Sequence, residues 1–467
     1  MPLSASISPM RAEFGATLRL AAPLALANLL QMAVYAIDVI FIARLGPEAL
    51  AASSLSIALF GLLTWGSSGM TGAVAPLIAA ELGRRGHAVR EVRRSIRMAL
   101  WLGALCGIAA MAVCSLGEPL MLATGQNPRV AARAGDFLHI LQWAVIPMIF
   151  SNVLRIFVSA LGRPVFATMI TALAIVVNAA GNYVLVFGHF GAPALGLEGS
   201  ALSSVLTAIV TLLAYVAAIA ADRRLRRYRI LGRWWRTEWS RFRELVRIGA
   251  PIAITVIAEA GLFGGAAFLM GRIGEAELAG HTIALQVAAF AFQVPFGVGQ
   301  AATIRVGFFY GAADRAGIGR AAWSALAVGL SFVMLAALAM LVVPRLILSA
   351  YVDVTDPANA AMVALAVQYM VVAAAFQLFD GTQAIAAGAL RGMQDTRTPM
   401  AIALFSYWVP GFGGAVLLGF FTPLGGMGVW IGLAAGLVFA SALLLWRFYR
   451  RDRLGLLPSS GFPAPLA

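Results

Sequence analysis

Apolar residues fall in long runs along this chain, and polar residues gather in short stretches between them. The runs occupy positions 16–43, 50–80, 95–116, 131–159, 165–188 and 196–220, then 247–271, 278–308, 319–344, 358–390, 398–421 and 426–446. A helix rises about 1.5 Å per residue, so runs of about twenty residues can cross a hydrocarbon layer about 30 Å thick. The pattern predicts an all-α polytopic membrane protein with twelve transmembrane helices, six on either side of a basic stretch. It divides the chain into an N-lobe at 1–220, a basic linker at 221–246, and a C-lobe with its tail at 247–467. Several runs are longer than a crossing needs and are expected to tilt or to extend past the headgroups.

The two halves repeat each other. Arg19 to Ala51 reads RLAAPLALANLLQMAVYAIDVIFIARLGPEALA, and Arg247 to Ala279 reads RIGAPIAITVIAEAGLFGGAAFLMGRIGEAELA. At an offset of 228, Pro23 falls on Pro251, Arg44 on Arg272, Gly46 on Gly274 and Leu50 on Leu278. Asn127-Pro128 and Asp356-Pro357 correspond at an offset of 229. Both read as helix starts, with a capping side chain before a proline at the first helical position. Six helices is an even number, so both copies insert the same way up. The expected result is two six-helix lobes related by a pseudo-twofold along the membrane normal, with a cavity between them.

Composition sharpens this picture. The chain is 61% hydrophobic and only 12% charged, where a soluble domain carries about 25% charge. A net charge of +14 could suggest nucleic acid, but the basic residues, all arginine, sit mainly between apolar runs. Stretches after even-numbered runs hold twenty-three of them, ten between Arg223 and Arg247, against five after odd-numbered runs: Arg44, Arg129, Arg133, Arg272 and Arg345. The positive-inside rule then puts both termini and the linker in the cytoplasm. The linker, DRRLRRYRILGRWWRTEWSRFRELV, reads either as an amphipathic helix on an anionic leaflet or as a solvated connector. A nucleic-acid role does not fit a patch this short, tied to the membrane at both ends. Cys106 and Cys114 are eight residues apart in one run, about 12 Å along a helix and too far for a disulfide. The N-terminus lacks the features of a cleaved signal peptide, so the first run is expected to stay as a membrane helix.

Three acids lie inside the runs: Asp38 in the first, Glu259 in the seventh and Asp380 in the tenth. A carboxylate in hydrocarbon costs roughly 2.5–3.5 kcal/mol on insertion scales and by default marks a functional site. Glu259 lies twelve residues past Arg247, and Asp380 eleven before Arg391. With arginines at the interface, both are about 16–18 Å from the cytoplasmic face. Asp38, six residues from Arg44, belongs to the outer half. Two acids at one depth do not easily both ionise, so one takes a proton or both share a cation. The alternative is that internal arginines neutralise them. Asn178 and Asn182 sit one turn apart in the fifth run, either bridging helices or forming a polar patch that faces Asp38. Gln31, Gln142, Gln286, Gln293 and Gln377 are less specific polar positions. Pro23 removes a backbone donor and is expected to bend the first helix. No catalytic constellation, metal-ligand spacing of histidines or phosphate-binding loop is present, so an enzyme is not expected and ATP is not the direct energy source.

These residues together resemble the multidrug and toxic compound extrusion (MATE) family, of the NorM-like branch. The resemblance runs over about residues 15–447 and rests on A-x-P-L through Leu30-Gln31 to Asp38 and on GAPIAI leading to Glu259. It also rests on FQLFDGTQAIAAGALRGMQDTRTPM around Asp380, and on the asparagine pair before Phe187-Gly188. It implies export of amphipathic drugs and organic cations from a multi-pass monomer in a bacterial inner membrane, with no cofactor beyond a coupling ion, proton or sodium. Glu259 and Asp380 would be the cation-site acids of the C-lobe, able to hold sodium. Asp38, Asn178 and Asn182 would form an N-lobe site linked to protonation and to bending at Pro23. Gln31, Gln286 and Phe376 would join the polar cavity. One departure stands out: relatives often carry a tyrosine where this chain has Phe376, and its loss removes an oxygen that sodium favours. A lipid-linked oligosaccharide flippase of the same superfamily is the alternative, but it should show an arginine-rich cavity that these runs lack. A receptor or purely structural membrane protein would have no need of the internal acids.

Overall fold

The computed structural model describes residues 9–85, 88–230, 232 and 235–458. Among the described residues there are twelve helices long and apolar enough to cross a membrane. They are α1 (Pro9–Ala43), α2 (Pro47–Arg84), α3 (Val89–Ser115), α4 (Pro128–Ala160), α5 (Val165–Phe187) and α6 (Gly196–Ala221). Then follow α7 (Trp239–Ile273), α8 (Glu275–Gly311), α9 (Arg315–Val342), α10 (Pro357–Gly392), α11 (Arg397–Phe420) and α12 (Gly426–Tyr449). No strand occurs among the described residues. The protein is an all-helical, multi-pass membrane protein, and the helices match the apolar runs closely.

Side-chain caps and prolines set where helices start and where they are interrupted. Asn127 Oδ1 accepts from the Arg129 amide at 2.9 Å, and Asp356 Oδ1 accepts from the Ala358 amide at 2.9 Å. Each stands just before a proline, as the sequence predicts. α4 is interrupted by a 3-10 turn at Gln142–Ala144, shortly before Pro147. α11 widens into a π segment at Tyr407–Gly413, which contains Pro410. In both, proline cannot donate to the carbonyl one turn back, and the backbone changes its bonding there. α1 and α7, by contrast, run unbroken through Pro23 and Pro251.

The chain forms two compact units. The first comprises the described residues of Met1–Ala25, Ala79–Gly86 and Ile257–Ala467; the second comprises Leu26–Ile78 and His87–Val256. The division therefore differs in detail from lobes cut at the linker. The opening turns of α1 pack with α8, where Glu13 Oε1 and Oε2 accept from Arg305 at 2.8 and 2.5 Å. The opening turns of α7 belong to the second unit, where Arg97 of α3 pairs with Glu238 at 2.6 Å.

Inside the first unit, α8 and α10 approach backbone to backbone. A Cβ at Gly299 would lie 2.9 Å from the Ala384 carbonyl oxygen, and Gly388 faces Gly299 in return. Thr303 Oγ1 closes the contact by donating to the Gly388 carbonyl at 2.9 Å. Small residues permit such contact in membranes, where packing and hydrogen bonds drive helix association. In the second unit, Gly181 plays the same part at the α5–α6 contact, beside Ser203.

The described linker residues before Trp239 form turns and one 3-10 turn, Arg226–Tyr228, and Trp239–Val246 are the opening turns of α7. Tyr228 is buried edge-on against Phe157, and its carbonyl accepts from Arg93 Nε at 2.7 Å. The linker is thus a connector docked on the second unit. Leu231, Arg233 and Trp234 lie outside the described residues.

Candidate functional site

In the second unit, α1 carries Asp38 into a polar pocket made by α5 and α6. The carboxylate is 8% exposed. Its Oδ1 accepts from Asn178 Nδ2 at 2.9 Å and from Asn182 Nδ2 at 2.8 Å, and its Oδ2 accepts from Ser204 Oγ at 3.1 Å. The asparagines are one turn apart, so one face of α5 presents both amides to one oxygen. Ser203 Oγ donates to the Asn178 carbonyl at 3.1 Å and fixes α6 against α5 at this level. Sequence reasoning does not single out Ser204; the Ser203-Ser204 pair in the sixth run is the available signal. Among the described residues, no arginine forms a salt bridge with Asp38. Its three partners are neutral donors, an arrangement that can hold a charged or a neutral carboxyl and so suits a group that changes protonation.

Arg155, which the charge pattern places in a loop, lies within α4. It donates to Asn28 Oδ1 of α1 at 3.1 Å and to Asn152 Oδ1 at 2.7 Å. Asn28 is ten residues before Asp38, about 15 Å along α1, so the guanidinium is held by amides rather than by the acid. Gln31 is half-buried on α1 and is not joined to Asp38 by a hydrogen bond. Gln142 serves locally, accepting from Ser115 Oγ at 2.8 Å.

In the first unit, Asp380 of α10 is 3% exposed, and its Oδ1 has no hydrogen-bond partner among the described residues. Glu259 of α7 lies close enough for the two carboxyls to interact electrostatically. Two further groups share this neighbourhood that sequence spacing does not bring in. Arg391 interacts with Glu259 across a gap longer than a salt bridge. Tyr407, in the π segment of α11, feels both acids, and its hydroxyl accepts from Gln383 Nε2. Arg391, expected as an interface marker, thus also acts electrostatically on Glu259. Phe376 is buried against Phe263 and Trp430, with centroids 6.1 and 5.7 Å apart. A hydroxyl does enter this neighbourhood from another helix, that of Tyr407. Gln377 donates to the Ala288 carbonyl at 2.6 Å and so fixes α10 to α8. Gln286 is exposed and hydrogen-bonds none of these residues, so the structure does not bring it to the acids.

The MatE family model matches residues 23–184 and 251–417, which contain Asp38, Asn178, Asn182, Glu259 and Asp380. A probable multidrug resistance protein NorM of Mesorhizobium japonicum is 45% identical over 444 residues, covering 95% of either chain. A multidrug resistance protein NorM of Burkholderia vietnamiensis is 38% identical over 434 residues, covering 93% of each. Among solved structures, the eukaryotic MATE transporter AtDTX14 superposes with a TM-score of 0.85 at 17% identity, covering 96% of this chain and 100% of its own. An outward-facing multidrug resistance MATE family transporter of the MOP superfamily gives 0.85 at 19% identity, covering 95% and 96%. These structural likenesses show the fold.

Proposed function

The chain belongs to the MatE family, and from that premise we propose that it is a secondary multidrug efflux transporter, not an enzyme. It exports amphipathic, often cationic, compounds in exchange for protons by alternating access of its membrane-embedded acids to the two sides of the membrane. It works as a monomer in a bacterial inner membrane, with both termini in the cytoplasm. The observation that carries this reading is the state of the acids. Asp38, Glu259 and Asp380 lie within membrane helices and none is in a salt bridge among the described residues. Hydrocarbon does not tolerate idle carboxylates, so each is expected to exchange an ion or meet a cationic substrate.

Protons are favoured over sodium for a reason in the first unit. Glu259, Asp380 and Tyr407 offer oxygen ligands that sodium could use. Arg391 already offsets part of the acids' negative charge, and Asp380 Oδ1 has no partner among the described residues; a proton binds at that single oxygen, whereas sodium needs several oxygens brought around it at once. The test is dye export from proteoliposomes with proton and sodium gradients imposed separately. Proton-driven export with weak sodium-driven export is expected. Equal export on sodium alone would reject the ion assignment, and no export on either gradient would reject the transporter reading.

A further inference from the structure

Where α8, α10 and α12 meet, at the ends that the arginine distribution assigns to the outer side, three polar side chains are buried without partners. His281 of α8 and Trp430 of α12 are 0% exposed, and Tyr369 of α10 is 1%. Both ring nitrogens of His281, the Tyr369 hydroxyl and Trp430 Nε1 lack a hydrogen-bond partner among the described residues. The three form one cluster. The His281 and Trp430 rings meet edge-on with centroids 5.4 Å apart, and Tyr369 stacks on Trp430 at 6.1 Å. A buried polar group left unpaired costs about 1–3 kcal/mol. Apolar rings would pack on Trp430 without that cost, so packing alone does not explain four such atoms in one place.

The cluster continues inward. Gln377, Asp380 and Gln383 lie eight, eleven and fourteen residues past Tyr369, within about a third of the α10 circumference. Each has an unpartnered oxygen: Gln377 Oε1, Asp380 Oδ1 and Gln383 Oε1. The stripe is about 21 Å long and passes the acid of the first unit. At its outer end Glu277, one turn before His281 on α8, is half-exposed and acts electrostatically on Tyr369. A carboxylate at the rim, an imidazole below it, the Tyr369 hydroxyl and Gln377 Oε1 lead in turn toward Asp380, with Gln383 Oε1 one turn beyond it.

We propose that His281, with Tyr369 and Trp430, is the outer station of a buried, water-bearing route that brings protons to Asp380. The inference rests on the proton-coupled reading above. Unpaired donors and acceptors at this density fit ordered water, which needs two to four polar partners. Imidazole can take a proton from outer water at one ring nitrogen and release one from the other. The ring is left neutral in its second tautomer, and the released proton passes through water to the carboxylate. Glu277 on α8 and Tyr369 on α10 are the titratable neighbours; α12 contributes Trp430, which does not titrate.

The experiment has a transport arm and a labelling arm. His281→Phe keeps an aromatic ring against Trp430 without polar atoms, and His281→Gln keeps hydrogen bonding without titration. Both are expected to slow proton-driven export at least about tenfold and to flatten its dependence on external pH. Gradient-free substrate exchange should stay within about twofold of wild type, since positions of substrate contact are untouched. Wild-type export with a wild-type pH profile in His281→Phe would overturn the proposal. In a Cys106→Ala, Cys114→Ala background, His281→Cys and Tyr369→Cys are expected to react with a small, impermeant methanethiosulfonate added outside. Protection of both from the reagent would show a dry site and overturn the proposal even if the Phe and Gln variants fail to fold. Absence of proton-driven export in the wild type would instead sink the ion assignment, and the proton role of His281 with it.

Discussion

Asp38→Asn separates the charge of this residue from its shape, and the hydrogen bonds around it set the expected size of the effect. The substituted amide can keep all three contacts. Its Oδ1 accepts from Asn178 and Asn182, and its Nδ2 donates to Ser204 Oγ once that hydroxyl turns its hydrogen away. Hydrogen bonds to a charged group contribute about 1.5–3 kcal/mol and neutral ones about 0.5–1.5, so the substitution gives up about 1 kcal/mol per contact. The buried charge is removed at the same time, which returns several kcal/mol of desolvation. The two effects are of similar size, so thermal stability in detergent should hold or rise. Asp38→Ala differs: it leaves Asn178 Nδ2 without an acceptor, at about 1–3 kcal/mol, and leaves Asn182 Nδ2 with only Asn178 oxygens to donate to. It should be clearly less stable than Asp38→Asn. In proteoliposomes both should lose proton-driven export, because neither can bind a proton at this position. Normal export by Asp38→Asn would make the acid structural, and an unfolded Asp38→Asn beside a stable Asp38→Ala would refute the hydrogen-bond reasoning.

Three other outcomes are expected. Glu259→Gln and Asp380→Asn should each stop uphill export, and the double variant should match either single one, as expected for groups in one network; additive losses in measured efflux rate would indicate two separate sites. Cysteines placed at Arg236 and at Gly46 should label from the inner and outer faces respectively, and labelling of both from outside would reverse the proposed orientation. Arg305→Gln strands the Glu13 carboxylate and should cost about 3 kcal/mol, at the low end for a buried pair. The Arg305 side chain keeps 26% exposure. Charge exchange between the two positions should recover most of that loss in a thermal-shift measurement, and failure to recover any would show that the pair contributes through packing rather than charge.

Periodicity and charge make the spans legible, and the match is close at α5, where the run at 165–188 becomes Val165–Phe187. The Asp38 pocket is partly legible too, because Asn178 and Asn182 share a face by spacing alone. What spacing does not show is which residues of other helices arrive at the same place. Ser204 and Tyr407 come from elements distant in sequence, and tertiary packing brings them in, as it brings Arg391 of α10 near Glu259 of α7. Tyr407 is delivered by a π segment that the run at 398–421 does not announce. Arg155 departs from the pattern for a related reason: charge alone suggests a loop, whereas amide oxygens on two helices let the guanidinium stay inside α4. Gln286 resembles Gln377 in sequence, but the two face different surroundings, one exposed and one tied to the Ala288 carbonyl.

The central claim is that substrate is exported in exchange for protons held at the membrane-embedded acids, and proton release on substrate binding tests it most directly. Purified protein in weakly buffered detergent, with a pH-sensitive dye, would receive a permanently cationic substrate that cannot itself carry a proton. Wild-type protein should release close to one proton per substrate bound, and a variant carrying Asp38→Asn, Glu259→Gln and Asp380→Asn should release none while still folding. Saturable binding to the wild type with no proton released would contradict the account.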